Sequence, residues 1–158
     1  MPGITPWLWF DGQAEEAANF YVSVFPNSTI TDVSRNGDAG PGQPGTVLTV
    51  TFELDGHPFA GLNGGPEFHF TEAVSFQIDC ADQAEVDRYW ERLIADGGEE
   101  SMCGWLRDRY GVSWQVVPRQ LGQLLDDPDR GRAARAMQAM LGMRKLDVAA
   151  LQAAADAG

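Results

Sequence analysis

Hydrophobic and polar positions follow the same order of elements twice along the chain. In the first half, apolar residues at helical spacing, from Ala14 through Tyr21 to Phe25, predict a helix. Alternating or β-branched stretches predict strands on either side of it, at residues 4–10, 29–35, 46–54 and 57–63. The pair Asp55-Gly56 separates the last two strands and predicts a tight hairpin turn, because both residue types adopt positive φ at low cost. The first half therefore predicts one β-α-β-β-β unit.

The second half repeats this order. Its pattern predicts a helix over residues 82–96 and strands at residues 73–80, 100–107 and 112–118. A shift of 70 residues (83 − 13) places Gln13-Ala14-Glu15 on Gln83-Ala84-Glu85 and Phe20 on Trp90. Such self-similarity is typical of a duplicated unit. We therefore predict an α+β domain over residues 1–118, made of modules at about 1–65 and 72–118.

Two further segments do not follow the repeat. Residues 36–45 are so rich in glycine and proline that we predict a mobile loop, and whether it closes as a lid is left open. Residues 119–158 predict a helical extension, with one helix starting at Asp127-Pro128 and another at Asp147. An apolar stripe along the first of these helices predicts core or subunit packing; it consists of Ala133, Ala136, Met137, Met140 and Leu141.

Composition and charge narrow the function. The net charge of −12, from 23 acidic and 11 basic residues, opposes binding to a polyanion, so we expect no nucleic-acid partner. The chain has no run of 18 apolar residues and no basic, apolar start, so we expect no membrane span, no secretory signal and a cytoplasmic location. Cys80 and Cys103 lie 23 residues apart and are expected to be free thiols.

Several kinds of catalytic motif are missing from the sequence. No glycine-rich turn joins a predicted strand to a predicted helix, as dinucleotide and S-adenosylmethionine sites of the doubly wound kind require. The only histidines, His57 and His69, fall beside a turn and in a loop, where solvation is the ordinary state. Asp108 and Arg109, beside the last turn, are also expected to be solvated rather than to form an acid–base pair.

Four segments together carry a resemblance to a known family. They are TPWLWFDGQAEEAANFY, LNGGPEFHF, CGWLRDRYGVSWQVVP and RAMQAMLGMRKLDVAAL. With the two β-α-β-β-β units, they resemble the vicinal oxygen chelate superfamily of glyoxalases, antibiotic-resistance proteins and extradiol dioxygenases. More closely, they resemble its PhnB-like family, whose members are often labelled 3-demethylubiquinone-9 3-methyltransferase. The resemblance covers nearly the whole chain.

The resemblance implies a fold and a set of metal-ligand positions. In that superfamily, the two modules form an open cup-shaped mixed sheet, and histidine and carboxylate ligands project from its wall. The matching positions here are Thr5, Ala60, Ser75 and Gln115. Hydroxyls and a neutral amide bind transition metals poorly, and alanine does not bind them at all. We therefore expect neither a metal nor another cofactor.

Aromatic and neutral polar side chains remain as ligand-binding candidates. They are Thr5, Trp7, Trp9, Asn63, Ser75, Gln77, Cys103, Trp105 and Gln115. Tryptophans with amides and hydroxyls suit a flat, largely apolar ligand held by a few hydrogen bonds. The alternative, that the tryptophans simply fill the cup, is left open. No catalytic residue is assigned.

Three functions are consistent with these features. The first is a metal-free protein that binds a small, partly aromatic or apolar molecule, resembling the bleomycin-binding branch. The second is an enzyme on the same scaffold, either the methyltransferase of the family label or a metal-dependent lyase or transferase. The third is a structural or regulatory dimer with a filled cup. The resemblance implies a homodimer in each case.

Overall fold

The computed structural model describes residues 3–158. Within this range the strands are β1 (Trp7–Phe10), β2 (Thr29–Arg35), β3 (Val47–Leu54), β4 (His57–Asn63), β5 (Ser75–Cys80), β6 (Glu99–Glu100), β7 (Trp105–Arg107) and β8 (Ser113–Pro118). The helices are α1 (Ala14–Val24), α2 (Gln83–Ile94), α3 (Arg119–Leu125), α4 (Arg130–Leu141) and α5 (Val148–Asp156). No helix of residues 3–158 combines the length and the hydropathy that crossing a membrane requires.

The chain divides into two compact units. Unit 1 ends at Phe70 and contains a sheet of order β1-β4-β3-β2; unit 2 begins at Thr71 and contains a sheet of order β5-β8-β7-β6. In both sheets the first two strands are parallel and the remaining pairs are antiparallel. The predicted fold class is therefore confirmed: two βαβββ modules with open mixed sheets, followed by C-terminal helices.

One face of each sheet is covered by the helix of its own unit. In unit 1, α1 buries small alanines and Tyr21, whose ring stacks on Phe52 with centroids 6.3 Å apart. In unit 2, α2 buries Trp90 and Leu93, and Trp114 of β8 packs beside Phe76 at 5.6 Å. Apolar side chains on alternate positions thus form the core of each unit, and the intervening positions form the opposite face.

Two elements differ from the predictions in their bounds. The predicted strand over residues 100–107 is broken, because Cys103 and Gly104 both have positive φ, 59° and 84°. The predicted start of a helix at Asp127-Pro128 is wrong, since α4 is capped by Asp129. The carboxylate of Asp129 accepts from the backbone N–H groups of Gly131 and Arg132. Helix α3 lies within the predicted helical extension, although no separate start was predicted for it, and the start at Asp147 is confirmed.

The glycine-rich loop of residues 36–45 is irregular, as predicted, and is organised around one side chain. Asn36 is 7% exposed. Its amide nitrogen donates to Thr46 Oγ1 at 3.0 Å, and its amide oxygen accepts from the backbone of Gly42 at 3.3 Å. A Cβ at Gly42 would lie 2.6 Å from the Asn36 Nδ2 atom, so the loop requires glycine there.

The C-terminal helices pack into unit 2. Their core contains Leu121, Leu124, Ala136, Leu146, Leu151 and Ala155. The side chain of Gln83 on α2 holds the start of α5, accepting from Val148 N at 2.7 Å and donating to Leu146 O at 3.0 Å. Of the predicted apolar stripe, Ala133 and Ala136 are buried, whereas Met137 and Leu141 are exposed.

Candidate ligand-binding site

A row of three side chains crosses the middle of the unit 2 sheet. Gln77 on β5 and Trp105 on β7 are the lateral partners of Gln115 on β8. Side chains paired across neighbouring strands project from the same face. The next row, Ser75, Ser113 and Arg107, projects from this face too, because the two rows are two residues apart on every strand. We call the face defined by Ser75, Gln77, Trp105, Ser113 and Gln115 the polar face of unit 2.

Two of the positions that the family resemblance assigns to metal ligands bind each other. The amide Nε2 of Gln115 donates to Ser75 Oγ at 2.8 Å. A hydroxyl and a neutral amide are poor ligands for a transition metal, and their hydrogen bond already uses part of the donor set. Across residues 3–158, no three His, Cys, Asp or Glu side chains are grouped so that they could hold a metal ion. The side chains at these positions do not fit the metal site of the superfamily.

Charged side chains at the margins of the polar face are paired. Arg107 forms ion pairs with Glu99 and, at 3.7 Å, with Glu72. Asp79, the next outward residue of β5, lies 3.7 Å from the Arg119 guanidinium. These ion pairs are exposed and contribute little to stability. They neutralise the charges of Arg107 and Asp79, which lie at the two margins of the polar face. The centre of the polar face therefore consists of neutral amides, hydroxyls and the Trp105 indole.

The matching face of unit 1 carries aromatic side chains and has no amide in its central row. Its central row consists of Trp7, Ala60 and Thr51. Trp7 is 57% exposed, whereas Trp9 is held in place: its indole N–H donates to Gly65 O at 2.8 Å, and its ring meets Phe68 edge-on at 4.8 Å. We call this surface the aromatic face of unit 1.

Three other candidates lie away from these rows. Thr5 is exposed and precedes β1. Asn63 shares a face with its β1 partner Phe10, on the helix side, where Oδ1 accepts from Ala14 N at 2.9 Å and Nδ2 donates to Val47 O at 3.0 Å. It thus holds the start of α1. The expectation that Cys103 lies on a strand beside Trp105 is wrong, because Cys103 is in a turn and its backbone N–H donates to Met143 O at 2.8 Å.

The expectation that Asp108 is solvated is also wrong. Asp108 is 3% exposed. Its Oδ1 accepts from the backbone of Tyr110 at 2.8 Å and Val112 at 3.1 Å, and its Oδ2 accepts from the Trp114 indole at 2.9 Å. The sequence pattern that could have indicated this buried role is the spacing of Asp108 from Gly111, three residues later, and from the buried Trp114, six residues later. Arg109 pairs with Asp96 at 3.4 Å.

The two histidines and the two cysteines differ in exposure. His57 and His69 are exposed, as expected. Both cysteines are free thiols. Cys80 lies in the core of unit 2, where burial, followed by the nearby carboxylates of Glu85 and Asp79, raises its pKa to about 12. Its thiol is therefore protonated and unreactive at neutral pH.

Comparisons with known proteins give the family and support the fold of the chain. The family described as 3-demethylubiquinone-9 3-methyltransferase matches residues 2–117. The chain belongs to this family. A search of curated proteins found no match. The family match ends before α3, so the C-terminal helices of this family member lie beyond the shared part.

Solved structures of similar proteins confirm the fold of this family member. The PhnB protein from Bacillus cereus is 39% identical, with a TM-score of 0.68 over 74% of this chain and 99% of that one. Protein PA1353 from Pseudomonas aeruginosa is 21% identical, with a TM-score of 0.63 over 75% and 98%. The fosfomycin resistance protein FosX from Listeria monocytogenes is 18% identical, with a TM-score of 0.55 over 80% and 98%. The last two likenesses concern the fold alone.

Proposed function

We propose that this chain binds a small, planar, partly apolar molecule on the polar face of unit 2, without a catalytic metal. The observation that carries the proposal is the row of Gln77, Gln115 and Trp105 across β5, β8 and β7. An indole ring offers a flat apolar contact, and two neighbouring amides offer both hydrogen-bond donors and acceptors. This combination suits recognition of a ring that carries a few polar atoms.

The proposal is favoured over metal-dependent catalysis by the residues in the ligand positions. Ser75 and Gln115 are joined by a hydrogen bond, and Ala60 has no donor atom. A transition metal would have to displace that hydrogen bond, and in return it would bind only a hydroxyl and a neutral amide, which are weak ligands. We therefore assign the polar face to recognition of an organic ligand rather than to coordination.

The methyltransferase label of the family fits the strand–helix connections poorly. A helix that binds a nucleotide-like cofactor presents free backbone N–H groups after a glycine-rich turn. In unit 2 only Ala81 and Asp82 separate β5 from α2, and the carboxylate of Asp82 accepts from Glu85 N at 2.9 Å. In unit 1 the first N–H of α1, on Ala14, is taken by Asn63. Neither connection suits S-adenosylmethionine, and we derive no step through that cofactor.

We also propose that the protein forms a homodimer in the cytoplasm. The dimer is supported by large apolar side chains that are exposed in the described part of the chain, among them Trp7, Phe68 and Leu141. The cytoplasm is supported by two free cysteines. Light scattering should give about 34 kDa, twice the 17.2 kDa of one chain. A mass of one chain at micromolar concentration would contradict the dimer.

Isothermal titration calorimetry with planar phenols tests the binding function. We expect saturable binding to protein purified without added divalent salts, unchanged by EDTA. Gln115→Ala should weaken it about tenfold, the value of one good hydrogen bond. Gln138→Ala, on the exposed surface of α4, is the matched control and should bind like the wild type.

Two outcomes would count against the proposal. Loss of binding on metal removal, together with a near-stoichiometric transition metal in elemental analysis, would favour the metal-dependent alternative. Heat on titration with S-adenosylmethionine alone, with no response to any phenol, would favour the methyltransferase alternative.

A further inference from the structure

The hydroxyl of Ser113 is buried without a hydrogen-bond partner. Ser113 is 1% exposed, and its Oγ has no partner within residues 3–158. A hydroxyl can donate one hydrogen bond and accept two. Native structures satisfy the large majority of buried polar atoms, so an exception calls for a physical explanation. An alanine would fill the same space without the cost of desolvating a hydroxyl.

The position of Ser113 in the sheet indicates what its partner is. Ser113 lies between Ser75 and Arg107 in its row and two residues before Gln115 on β8, so its side chain projects from the polar face. Its neighbour Ser75 Oγ accepts from Gln115 Nε2. Neither Ser75 nor Gln115 forms another side-chain hydrogen bond within the described residues, so the Ser75 hydrogen and the Gln115 carbonyl oxygen are free to bind a ligand. Two hydroxyls and one amide thus occupy neighbouring positions on one face of the sheet.

The charges around Ser113, Ser75 and Gln115 indicate whether a neutral or an anionic group of a ligand fits there. Arg107, the one cationic neighbour in the row, is paired with Glu72 and Glu99, and Asp79 is paired with Arg119. The net charge of the chain is −12, which repels anions. An anionic group would therefore meet no uncompensated cation here, whereas a neutral hydroxyl or carbonyl oxygen matches the donors and acceptors present.

We infer that Ser113, Ser75 and Gln115 form a subsite for a neutral hydroxyl or carbonyl oxygen on a planar ligand. This inference rests on the proposed function. The ring of that ligand lies over Trp105, the lateral neighbour of Gln115. Because Ser113 is buried, a ligand atom reaches it when a neighbouring side chain shifts. Gln115, two residues along the same strand, is held by a single side-chain hydrogen bond, and Arg107, the lateral neighbour of Ser113, is held by exposed ion pairs. Neither interaction holds its side chain strongly.

Three naphthalene probes separate this subsite from binding in general. Calorimetry is run with 1-naphthol, which carries a neutral hydroxyl, naphthalene, which lacks it, and 1-naphthoate, which carries an anion. We expect 1-naphthol to bind the wild type about tenfold more tightly than either of the others. Ser113→Ala should reduce that preference for 1-naphthol over naphthalene to less than twofold. Ser101→Ala, at an exposed serine of the same unit, is the matched control and should keep the preference.

Thermal unfolding of the same variants excludes a merely structural role. Removing an unsatisfied hydroxyl should leave the Tm of Ser113→Ala equal to or above that of the wild type. A lower Tm would mean that Ser113 has a protein partner and would overturn the inference. Equal affinity of the wild type for 1-naphthol and naphthalene would overturn the subsite but leave the proposed function standing. Failure of all three probes to bind would contradict the proposed function for this class of ligand.

Discussion

The two sheets have the same strand order, but they differ completely in the middle of the face that lies opposite the helix. In unit 1 the central row is Trp7, Ala60 and Thr51; in unit 2 the corresponding row is Gln77, Gln115 and Trp105. The aromatic ring lies on the first strand of one sheet and on the third strand of the other. Amides occupy the remaining two places in unit 2 only. The duplicated units thus present unlike surfaces from one backbone plan.

The opposite faces differ far less between the units. Both bury apolar side chains under one helix, because each sheet needs that contact to exclude water. The face opposite the helix is not packed against a helix of its own unit, so its side chains have more freedom to differ between the units. The difference between the two rows therefore points to recognition, and the neutral amides of unit 2 are where we place it.

The largest effect is expected from the helices that only unit 2 possesses. Leu146 is fully buried in their core. Leu146→Ala should lower the free energy of unfolding by about 3 kcal/mol, from lost burial and a cavity. Gln138→Ala, at an exposed side chain of the neighbouring helix α4, should cost less than about 0.5 kcal/mol.

Cysteine labelling shows which unit Leu146→Ala affects. Cys80 is buried and its pKa is raised to about 12, so iodoacetamide at pH 8 reaches it only when unit 2 opens. Unit 1 contains no cysteine. Faster labelling of Cys80, with hydrogen exchange in residues 14–63 unchanged, is the expected result. Equal loss of protection in both units would show that the tail supports the whole chain.

The second effect concerns the last hairpin of each unit. Asp108 lies three residues before Gly111, and Glu53 lies three residues before Gly56. Asp108→Asn should cost about 2 kcal/mol in urea unfolding, because an amide that keeps the two backbone bonds turns its NH₂ group toward the Trp114 indole N–H. Glu53→Gln should cost less than about 0.5 kcal/mol. Similar costs for both variants would contradict the special role of the Asp108 carboxylate.

The third effect is local to unit 1. Gly42→Ala should destabilise the 36–45 loop by about 1 kcal/mol, since its methyl group would collide with the Asn36 amide. At Gly37 a Cβ meets nothing within 4 Å, so Gly37→Ala is the matched control. Hydrogen exchange at Gly45, whose N–H donates to Asn36 O at 2.8 Å, reports on the loop. Unchanged exchange in Gly42→Ala would mean that Asn36 does not organise the loop.

The smallest expected effect is on ligand affinity, and it compares the tryptophan in the central row of each sheet. Trp105→Leu should weaken binding of 1-naphthol about fivefold through loss of stacking, whereas Trp7→Leu should change it less than twofold. Both substitutions keep an apolar side chain, and calorimetry on the two variants gives the comparison. An equal loss in Trp7→Leu would mean that the aromatic face of unit 1 takes part in the site.

Much of the fold could be predicted from local patterns. Strands β2 and β4 have the predicted bounds, and the turn at Asp55-Gly56 has positive φ at both residues, 48° and 77°. These elements combine alternation with a strong turn signal, so local preference and final structure agree. The break at Cys103-Gly104 was missed because it depends on a segment 40 residues later, whose carbonyl groups at Met143 and Arg144 accept the two N–H groups.

The candidate site could be predicted only in part. Alternation places Ser75 with Gln77, and Ser113 with Gln115, on common faces. It also places Cys103 with Trp105, but Cys103 lies in a turn. Asn63, a further candidate, accepts from the Ala14 N–H at the start of α1 instead. In both cases hydrogen bonds with specific backbone groups decide the position. The burial of Asp108 was missed because a charged residue beside a turn is usually solvated.

The sequence by itself determined that the chain repeats one unit, and it has neutral residues at the four positions that the family resemblance assigns to metal ligands. Only the tertiary structure decided which of these residues meet. The Gln115–Ser75 bond and the Gln77–Gln115–Trp105 row join strands that are far apart in sequence. A period of two gives the face of each side chain, but strand register decides its neighbour, because a shift along the ladder changes every lateral pair.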